Sequence, residues 1–255
     1  MALDEALLQS VQAGLALPTL RLYDWVPATL SLGYAQPLSN VDLTKLEELG
    51  WGIVRRPTGG RAILHVDEIT YSVTAPIAEK RIAGGVLESY QRLSRALLKA
   101  VELLDVPAIG NKLRKKESKV SEPNPICFEA PSDYEITVDG KKLLGSAQAR
   151  RKEGVLQHGS LPLHGDIGRI ANALDFSSED KRTRAADRVR QSAATVEDGV
   201  GSKISWDEAA KAFKLAFAEV LDLEFIQEEP SKHEFQLAER WESEKYATAE
   251  WLERI

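Results

Sequence analysis

Hydrophobic and polar residues alternate in short stretches through the first two-thirds of the chain, a pattern typical of strands that bury one face. These stretches predict strands at residues 20–25, 29–34, 51–56, 61–65 and 68–75. A second group is predicted at 134–138, 143–149 and 154–163. Asp139 and Gly140 lie between the first two strands of that group, and this residue pair suits the positive φ angles of a tight hairpin turn.

Apolar residues spaced three and four positions apart predict helices around these strands. The helices are expected in the first fifteen residues and at 42–49, 86–104, 206–221 and 233–246. Asp42 or Asn40 is the predicted cap of the helix at 42–49. The helix at 86–104 has one apolar stripe, formed by Leu87, Tyr90, Leu93, Leu97, Val101 and Leu104. Because helices and strands do not alternate regularly, the pattern indicates an α+β fold with a mixed, largely antiparallel sheet flanked by helices. We predict one main domain over residues 1–225 and a short helical extension over 226–255 that packs on it.

Composition narrows the class of protein. A net charge of −6 and an isoelectric point near 5.4 argue against nucleic-acid binding. No stretch approaches the roughly 20 apolar residues of a membrane helix, and Asp4 and Glu5 stand where a signal peptide would carry positive charge. The single cysteine, Cys127, excludes an internal disulfide and fits a reducing compartment. We therefore expect a cytoplasmic protein that binds neither membrane nor nucleic acid.

The first segment with chemical potential is the loop from Arg55 to Arg61, with the sequence RRPTGGR. Its two glycines, Gly59 and Gly60, allow the backbone to approach a ligand closely. Its arginines are natural partners for a carboxylate or a phosphate. The same composition also fits a solvated turn, and the loop matches neither common glycine-rich nucleotide-binding pattern.

The second segment is GKKLLGSAQ, residues 140–148. A lysine that enters a strand beside the small residues Gly145, Ser146 and Ala147 could point into a cleft and stabilise a developing oxyanion. For either lysine alone, a solvated position in the hairpin is the more common outcome.

Cysteine and histidine residues supply further candidates. Cys127 follows a polar, proline-containing stretch with basic residues nearby, and cationic neighbours raise the thiolate fraction of a cysteine. A buried structural cysteine is the alternative. His65 and His158 could act as bases or could be hydrogen-bonded structural residues. No spacing of His, Cys, Asp and Glu predicts a metal site.

Together these segments resemble the lipoate-protein ligase and octanoyltransferase family, which is related to the biotin-protein ligases. The similar segments occur in the family's order: MALDEALL, PATLSLGY, RRPTGGRAILH, EITYSV, CFEAPSDY, GKKLLGSAQ and QHGS. A later segment, KYATAEW, resembles a shorter C-terminal signature. CFEAPSDY is most similar to the LipM-type octanoyltransferase branch. The resemblance implies a catalytic domain like that of the biotin and lipoate protein ligases.

The resemblance also implies roles for individual residues. Cys127 corresponds to the nucleophile of the LipM-type branch, and Lys142 corresponds to the family's active-site lysine, with Lys141 as the less favoured neighbour. The RRPTGGRAILH segment is similar to a hairpin that lines the acyl tunnel. The implied substrate-binding residues are Arg55, Arg56, Thr58, Gly59, Gly60, Arg61, His65, Gly145, Ser146, Ala147, His158 and Gly159.

The implied reaction moves an octanoyl or lipoyl group to one lysine of a lipoyl-carrier domain. The donor would be acyl carrier protein, and the acceptor either the glycine cleavage H protein or a lipoyl domain of a 2-oxoacid dehydrogenase. Because the donor thioester is already activated, no cofactor is expected. Two alternatives stay open: an ATP- and Mg-dependent ligase that forms an acyl-adenylate, and a non-catalytic protein that only binds lipoyl domains.

An acidic carrier protein would need a basic surface on an enzyme whose own net charge is negative. From the sequence we predict that Arg56, Arg61 and Arg150 form a basic rim that steers the carrier to the site.

Overall fold

The computed structural model describes residues 1–112, 134–151 and 153–255. Cys127 and most of the predicted loop at 111–126 lie outside the described residues.

The described residues form strands, α-helices and shorter helical turns. The strands are β1 (Thr19–Tyr23), β2 (Thr29–Leu32), β3 (Gly52–Arg55), β4 (Ile63–His65), β5 (Glu68–Pro76), β6 (Ile109–Lys112), β7 (Tyr134–Val138), β8 (Lys141–Arg150) and β9 (Gly154–Pro162). The α-helices are α1 (Ala2–Gln12), α2 (Leu43–Glu48), α3 (Val86–Glu102), α4 (Glu179–Ser192), α5 (Val196–Val200), α6 (Trp206–Leu221), α7 (Lys232–Trp241) and α8 (Ala249–Leu252). A π-helical turn, Glu242–Tyr246, joins α7 to α8, and 3-10 turns occur at Leu38–Asn40 and Ile167–Ala173.

A six-stranded antiparallel sheet in the order β1-β5-β9-β8-β7-β6 forms the centre of the fold. A second sheet has the order β3-β2-β4, in which β2 is parallel to β3 and antiparallel to β4. The predicted α+β fold with a mixed, largely antiparallel sheet flanked by helices is therefore confirmed.

The two faces of the six-stranded sheet pack against different partners. On one face, Ile69, Tyr71 and Val73 join an apolar core with α3 and α6, as their alternation predicted. On the other face, Thr70, Ser72 and Thr74 are also buried, with at most 2% of their surface exposed. Part of this polar face is covered by α1, whose Leu8 and Val11 pack on Leu156 of β9.

The segment RRPTGGRAILH does not form a hairpin, which corrects the expectation drawn from the resemblance. Its two strands, β3 and β4, lie on opposite sides of β2, and each hydrogen-bonds to β2 rather than to the other. Residues 56–62 therefore form a loop that crosses over the end of β2. The two strands of this segment were predicted, but the alternation within a strand does not reveal its neighbour.

Local signals in the sequence placed several elements accurately. The carboxylate of Asp42 accepts a hydrogen bond from the backbone N–H of Lys45, so Asp42 caps α2 as predicted. Helix α6 has the predicted bounds, 206–221. Asp139 and Gly140 have φ angles of 49° and 75°, as the tight turn between β7 and β8 requires. In α3 the predicted stripe is buried from Leu93 onward, whereas Leu87 in the first turn is exposed.

The C-terminal segment contacts α1 and the second sheet. The indole N–H of Trp241 donates to Oε1 of Gln9 at 3.1 Å. The ammonium of Lys245 lies 3.1 Å from Oε2 of Glu5, and its Nζ atom lies 4.4 Å from the centre of the Trp251 ring. The division of the chain at residue 225 stays a prediction. None of the helices in the described ranges combines the length and apolar character that a membrane crossing requires.

Candidate functional site

A cavity opens between the polar face of the six-stranded sheet and the loop that connects β3 to β4. The space between these walls is about 420 Å³, a volume that includes open solvent at its mouth. The predicted site residues among its lining are Arg56, Gly59, Gly60, His65, Gly145, Ser146, Ala147, His158 and Gly159. Segments separated by up to a hundred residues in sequence thus meet at one place.

Local geometry requires glycine at two positions of the cavity lining, Gly60 and Gly159. On β8, Gly145 pairs with Ser160, and Ser146 pairs with Gly159. A Cβ atom on Gly159 would lie 2.3 Å from the carbonyl oxygen of Gly145 and 2.6 Å from Cε1 of Tyr71, so a side chain cannot fit there. Gly60 has a φ of 97°, which glycine adopts at little cost. The loop therefore needs its second glycine for backbone conformation.

The adjacent arginines of the loop have different surroundings, although both are buried. The Arg55 guanidinium points away from the cavity and donates to carbonyl oxygens of the 33–36 segment and of α8. The shortest of these bonds are to Gln36 at 2.5 Å and to Leu252 at 2.6 Å. Arg55 therefore ties the C-terminal segment to the second sheet, and the structure does not place it in the cavity lining.

Arg56 lies at the cavity and holds the loop in shape. Its guanidinium donates to the carbonyl oxygens of Ser31 at 3.1 Å, Gly59 at 3.0 Å and Arg61 at 2.7 Å. These bonds fix the backbone on both sides of Gly60. Arg56 thus orders the loop at the cavity wall.

His158 is a buried, neutral imidazole in the cavity wall. Burial lowers the pKa of His158 to about 3, with Asp4 opposing the shift and Arg56 adding to it. Its Nε2 atom shares a 2.6 Å hydrogen bond with the Thr58 hydroxyl, which places Thr58 directly behind the wall. At neutral pH this ring does not carry charge, so it contributes a hydrogen-bonding and apolar surface.

A second histidine belongs to a buried polar network at another wall. Nδ1 of His65 lies 2.7 Å from Oε1 of Glu68, and its Nε2 lies 2.7 Å from the Ser31 hydroxyl. The Glu68 carboxylate also accepts hydrogen bonds from the hydroxyls of Thr70 and Ser160. These partners account for both ring nitrogens, so the network fixes the orientation of His65.

Lys142 is buried, with 6% of its surface exposed, while Lys141 is partly exposed. An irregularity in the β7–β8 pairing follows it directly on β8: Thr137 pairs with Lys142, but Ile136 pairs with Leu144. The carbonyl oxygen of Lys142 accepts a hydrogen bond of 3.0 Å from Ala194, at the end of α4. Lys142 precedes Gly145 by three residues on one strand, about 10 Å at strand rise, and it is not among the residues that line the cavity.

Most of the chain matches a known protein family. The model of the lipoyl protein ligase A/B catalytic domain family matches residues 1–218. The chain belongs to this family.

Two proteins named octanoyltransferase LipM are similar to this chain over most of their own length. Octanoyltransferase LipM of Carboxydothermus hydrogenoformans is 41% identical over 256 residues, covering 100% of this chain and 94% of that protein. Octanoyltransferase LipM of Bacillus subtilis is 36% identical over 255 residues, covering 98% of this chain and 92% of that protein.

Solved structures of lipoate-protein ligases share the fold. A bipartite lipoate protein ligase from Thermoplasma acidophilum, studied with its E2 lipoyl domain, has a TM-score of 0.81 at 28% identity and covers 98% of this chain and 89% of its own. A lipoate-protein ligase A bound with ATP has a TM-score of 0.77 at 27% identity, with 98% and 91% covered.

The predicted residues Arg61 and Arg150 are not among those that line the cavity. Arg61 is partly exposed beside Gly60, and Arg150 donates to the carbonyl oxygens of Gly84 and Gly85. Arg56 is buried, so the predicted basic rim of Arg56, Arg61 and Arg150 does not form as one surface. Cys127 lies outside the described residues. Within the part of the chain that the structure describes, no group of His, Cys, Asp and Glu is arranged to hold a metal ion.

Several residues of the site were missed in the sequence. Gly33 faces the loop so closely that a Cβ atom would lie 1.8 Å from the carbonyl oxygen of Gly60. Glu68 and Ser160 complete the network around His65. The polar positions of β5, which alternate with apolar ones from Glu68 onward, were the available signal, because buried polar groups need partners.

Proposed function

We propose that this chain is an octanoyltransferase that moves an octanoyl group from octanoyl-acyl carrier protein to one lysine of a lipoyl-carrier protein. The observation that carries this proposal is the identity of 36–41% with proteins named octanoyltransferase LipM, over 98–100% of this chain. At such coverage the whole catalytic domain is shared, rather than a binding module.

The cavity suits an acyl chain with a polar head. Gly145, Ala147 and Ile63 provide small or apolar surfaces, and His158 is neutral. The backbone of Gly59 and Gly60 borders the same space. A straight alkyl chain can lie along such walls without leaving a charge unsolvated, and exposed N–H groups of a glycine loop suit a carbonyl or phosphate oxygen.

In the proposed chemistry, Cys127 is the nucleophile. Its thiolate attacks the carbonyl carbon of the donor thioester, the new carbon–sulfur bond forms, and the pantetheine thiolate leaves. The neutral amine of the acceptor lysine then attacks the enzyme thioester. An amide forms, the Cys127 thiolate is released, and one proton leaves the nitrogen.

Lys142 would assist both steps through its ammonium group. A cation in a water-poor site stabilises the oxyanion that develops on the carbonyl oxygen during each attack. The burial of Lys142, in contrast to Lys141, supports the choice between the two neighbours.

The proposed acceptors are the glycine cleavage H protein or a lipoyl domain of a 2-oxoacid dehydrogenase. We further propose that neither ATP nor Mg²⁺ is required, because the thioester supplies the activation. A cytoplasmic location agrees with a reaction that depends on a reduced thiol.

One experiment separates this proposal from an ATP-dependent lipoate or octanoate ligase. The enzyme is incubated with a lipoyl domain and octanoyl-acyl carrier protein under EDTA without nucleotide, and in parallel with octanoate or lipoate and Mg-ATP. Mass spectrometry of the lipoyl domain measures acylation. We expect product in the first mixture. Product in the second mixture alone would establish the ligase and overturn the transferase.

The role of Cys127 gives a prediction with a direct readout. Wild-type enzyme mixed with octanoyl-acyl carrier protein alone should gain about 126 Da in a hydroxylamine-labile adduct, the mass of an acyl thioester. The Cys127→Ser variant should lose turnover and should not form this adduct, while its thermal unfolding is unchanged. Full activity in that variant contradicts the covalent mechanism.

A further inference from the structure

Part of the cavity is bounded on the sheet by residues that have almost no side chain there. On β8, Gly145 has none and Ala147 contributes a methyl group. Ser146 lies between them and points to the opposite face of the sheet, where its Oγ atom lies 2.7 Å from the hydroxyl oxygen of Tyr71. The sheet therefore presents backbone and one methyl group to the cavity at this place.

The loop between β3 and β4 forms the other wall and is equally bare. Gly59 and Gly60 line the cavity from this loop. Hydrogen atoms and a single methyl group have no rotamers with which to make room for a wider ligand. The gap between this part of the loop and β8 therefore depends on how far apart the two backbones are held.

A hydrogen bond joins the loop to the sheet beside this gap. Thr58 precedes Gly59 in the loop, and His158 lies on β9, where it pairs with Ala147 of β8. The Thr58 Oγ1 and His158 Nε2 atoms lie 2.6 Å apart. Both side chains are buried, with 1% and 4% of their surface exposed. The bond thus connects the two walls at the row of residues that contains the Ala147 methyl group.

The backbone of Thr58 is held from another side by the second sheet. Its carbonyl oxygen accepts a hydrogen bond of 2.9 Å from the N–H of Tyr34, which follows β2. Thr58 is therefore fastened to the second sheet through its backbone and to the six-stranded sheet through its side chain. Loss of the side-chain bond would leave the backbone bond in place and allow the loop to move away from β9.

The burial of His158 gives the walls a reason to separate when this bond is lost. A buried ring nitrogen without a partner is costly, so a water molecule would have to replace the Thr58 hydroxyl. A water molecule needs room between the walls. The space gained would adjoin Gly59 and Ala147, where the cavity is bare.

We propose that the Thr58–His158 hydrogen bond sets the width of the cavity and so makes the enzyme selective for unbranched acyl chains. A straight alkyl chain fits between two bare walls, whereas a methyl branch needs space that neither wall yields by side-chain rotation. Thr58 and His158 are then specificity-determining residues, Thr58 because it fixes the loop and His158 because it holds Thr58. This inference rests on the proposed function and adds the shape of the acyl group.

Two substitutions remove the bond with little change in volume. Thr58→Val replaces the hydroxyl by a methyl group, and His158→Asn places an amide near the position of Nδ1 that does not reach that of Nε2. The conservative changes Thr58→Ser and His158→Gln keep a polar group at the bonding position. The matched control is Thr74→Val, because the Thr74 hydroxyl is buried on the same face of the sheet and has no hydrogen-bond partner among the described residues.

The test measures kcat/KM for transfer to a lipoyl domain from acyl carrier protein loaded with octanoyl, 4-methyloctanoyl or 6-methyloctanoyl groups. Wild-type transfer of octanoyl without ATP is measured first, and its absence would refute the proposed function and this inference with it. Once transfer is observed, the ratio of kcat/KM for octanoyl to that for each branched donor tests the width of the cavity separately. Denaturant titration of each variant records its free energy of unfolding.

We expect wild-type enzyme to prefer octanoyl by roughly tenfold or more, since one misplaced carbon in a packed apolar pocket typically costs at least this factor. Thr58→Val and His158→Asn should each lower this preference about threefold or more, mainly through better use of the branched donors. The double variant should lower it no further, because both changes remove the same bond. Thr58→Ser and His158→Gln should keep most of the preference, and Thr74→Val should have the wild-type ratio even if its stability changes.

Four results would overturn the inference. Equal use of straight and branched donors by wild type shows that the cavity does not select by width. A loss with all donors alike in Thr58→Val and His158→Asn, at an unchanged ratio, gives the bond a structural role only. Effects on the ratio that multiply in the double variant show that the two residues act separately. The same fall of the ratio in Thr74→Val assigns it to the loss of any hydroxyl on this face.

Discussion

The two faces of the six-stranded sheet bury similar fractions of their side chains by different means. Toward α3 and α6, strand β5 presents Ile69, Tyr71 and Val73 to an apolar core. Toward α1 and the cavity it presents Thr70, Ser72 and Thr74, and β9 adds His158 and Ser160. On this second face the Glu68 carboxylate accepts hydrogen bonds from Thr70 and Ser160, and Ser72 donates to Asp4 of α1. The buried hydroxyl of Thr74 has no hydrogen-bond partner among the described residues.

This contrast indicates how one sheet supports both stability and catalysis. The apolar face gains free energy from burial and tolerates no water. The polar face gains little from burial, but its hydrogen bonds fix each side chain at the cavity. Substitutions on the apolar face should therefore change the free energy of unfolding, and substitutions at the cavity should change the rate of transfer.

The largest effect on stability is expected on the apolar face. Leu97 of α3 is 1% exposed within the core. Leu97→Ala should lower the free energy of unfolding by about 2–5 kcal/mol, because it removes buried methyl groups and leaves a cavity. Denaturant titration measures this loss. Transfer activity measured well below the melting temperature should stay within about twofold of wild type, and a collapse of kcat in folded protein would contradict the division between the faces.

A comparable effect, but on rate, is expected for Lys142. Loss of a preorganised cation near the developing oxyanion typically costs on the order of 10²–10³ in rate, and we expect at least that from Lys142→Ala. Its matched control, Lys141→Ala, changes the partly exposed neighbour and should have a much milder effect. Steady-state kcat on octanoyl-acyl carrier protein is the measurement. If Lys141→Ala is the damaging change, the assignment along β8 is wrong by one residue.

A smaller effect is expected from pH through His158, whose pKa burial lowers to about 3. In the unfolded chain an imidazole has a pKa of about 6.5, so the unfolded state takes up a proton on acidification and the folded state does not. The stability linked to this histidine is fully present above pH 7 and is lost as pH falls toward 3. Between pH 7 and pH 5 the loss is about 2 kcal/mol.

Denaturant titrations at pH 7 and pH 5 test this linkage. His158→Asn, which cannot titrate, should reduce the difference between the two pH values by about 2 kcal/mol relative to wild type. His233→Asn, a change at an exposed histidine, should leave the difference as it is. An unchanged difference in His158→Asn would falsify the buried, neutral assignment.

Local sequence signals predicted the elements well, because they depend on neighbours within a few positions. Asp42 as a cap and Asp139-Gly140 as a turn are examples. The short strand β6 was missed, since its four residues, IGNK, do not alternate. The sequence could not show that Arg56 lies at the cavity while Arg55 points away from it. Their carbonyl partners lie on distant segments, namely β2 and the residue after it, and α8.

For the candidate site, too, the sequence predicted motif residues but not the contacts that depend on distant parts of the chain. The resemblance selected most of the cavity lining before the fold was known, since motifs mark residues that share a task. It did not reveal that Glu68 and Ser160 support His65, because such supporting contacts depend on how β4, β5 and β9 meet. The buried positions of Asp4 and Glu5 likewise depend on distant partners, Arg21 and Lys245.

The contacts between the early strands and the C-terminal segment also have a consequence for folding kinetics. Arg55 bonds to a carbonyl oxygen 197 residues later, and Glu5 contacts an ammonium 240 residues later. Contacts with such long sequence separation form slowly, because a large loop must close first. During synthesis, which proceeds at roughly 5–20 residues per second, Arg55 therefore emerges from the ribosome well before Leu252. The hydrogen bonds between Arg55 and α8 therefore form only after α8 has been made, so the nascent chain completes this part of the second sheet at a late stage of its folding.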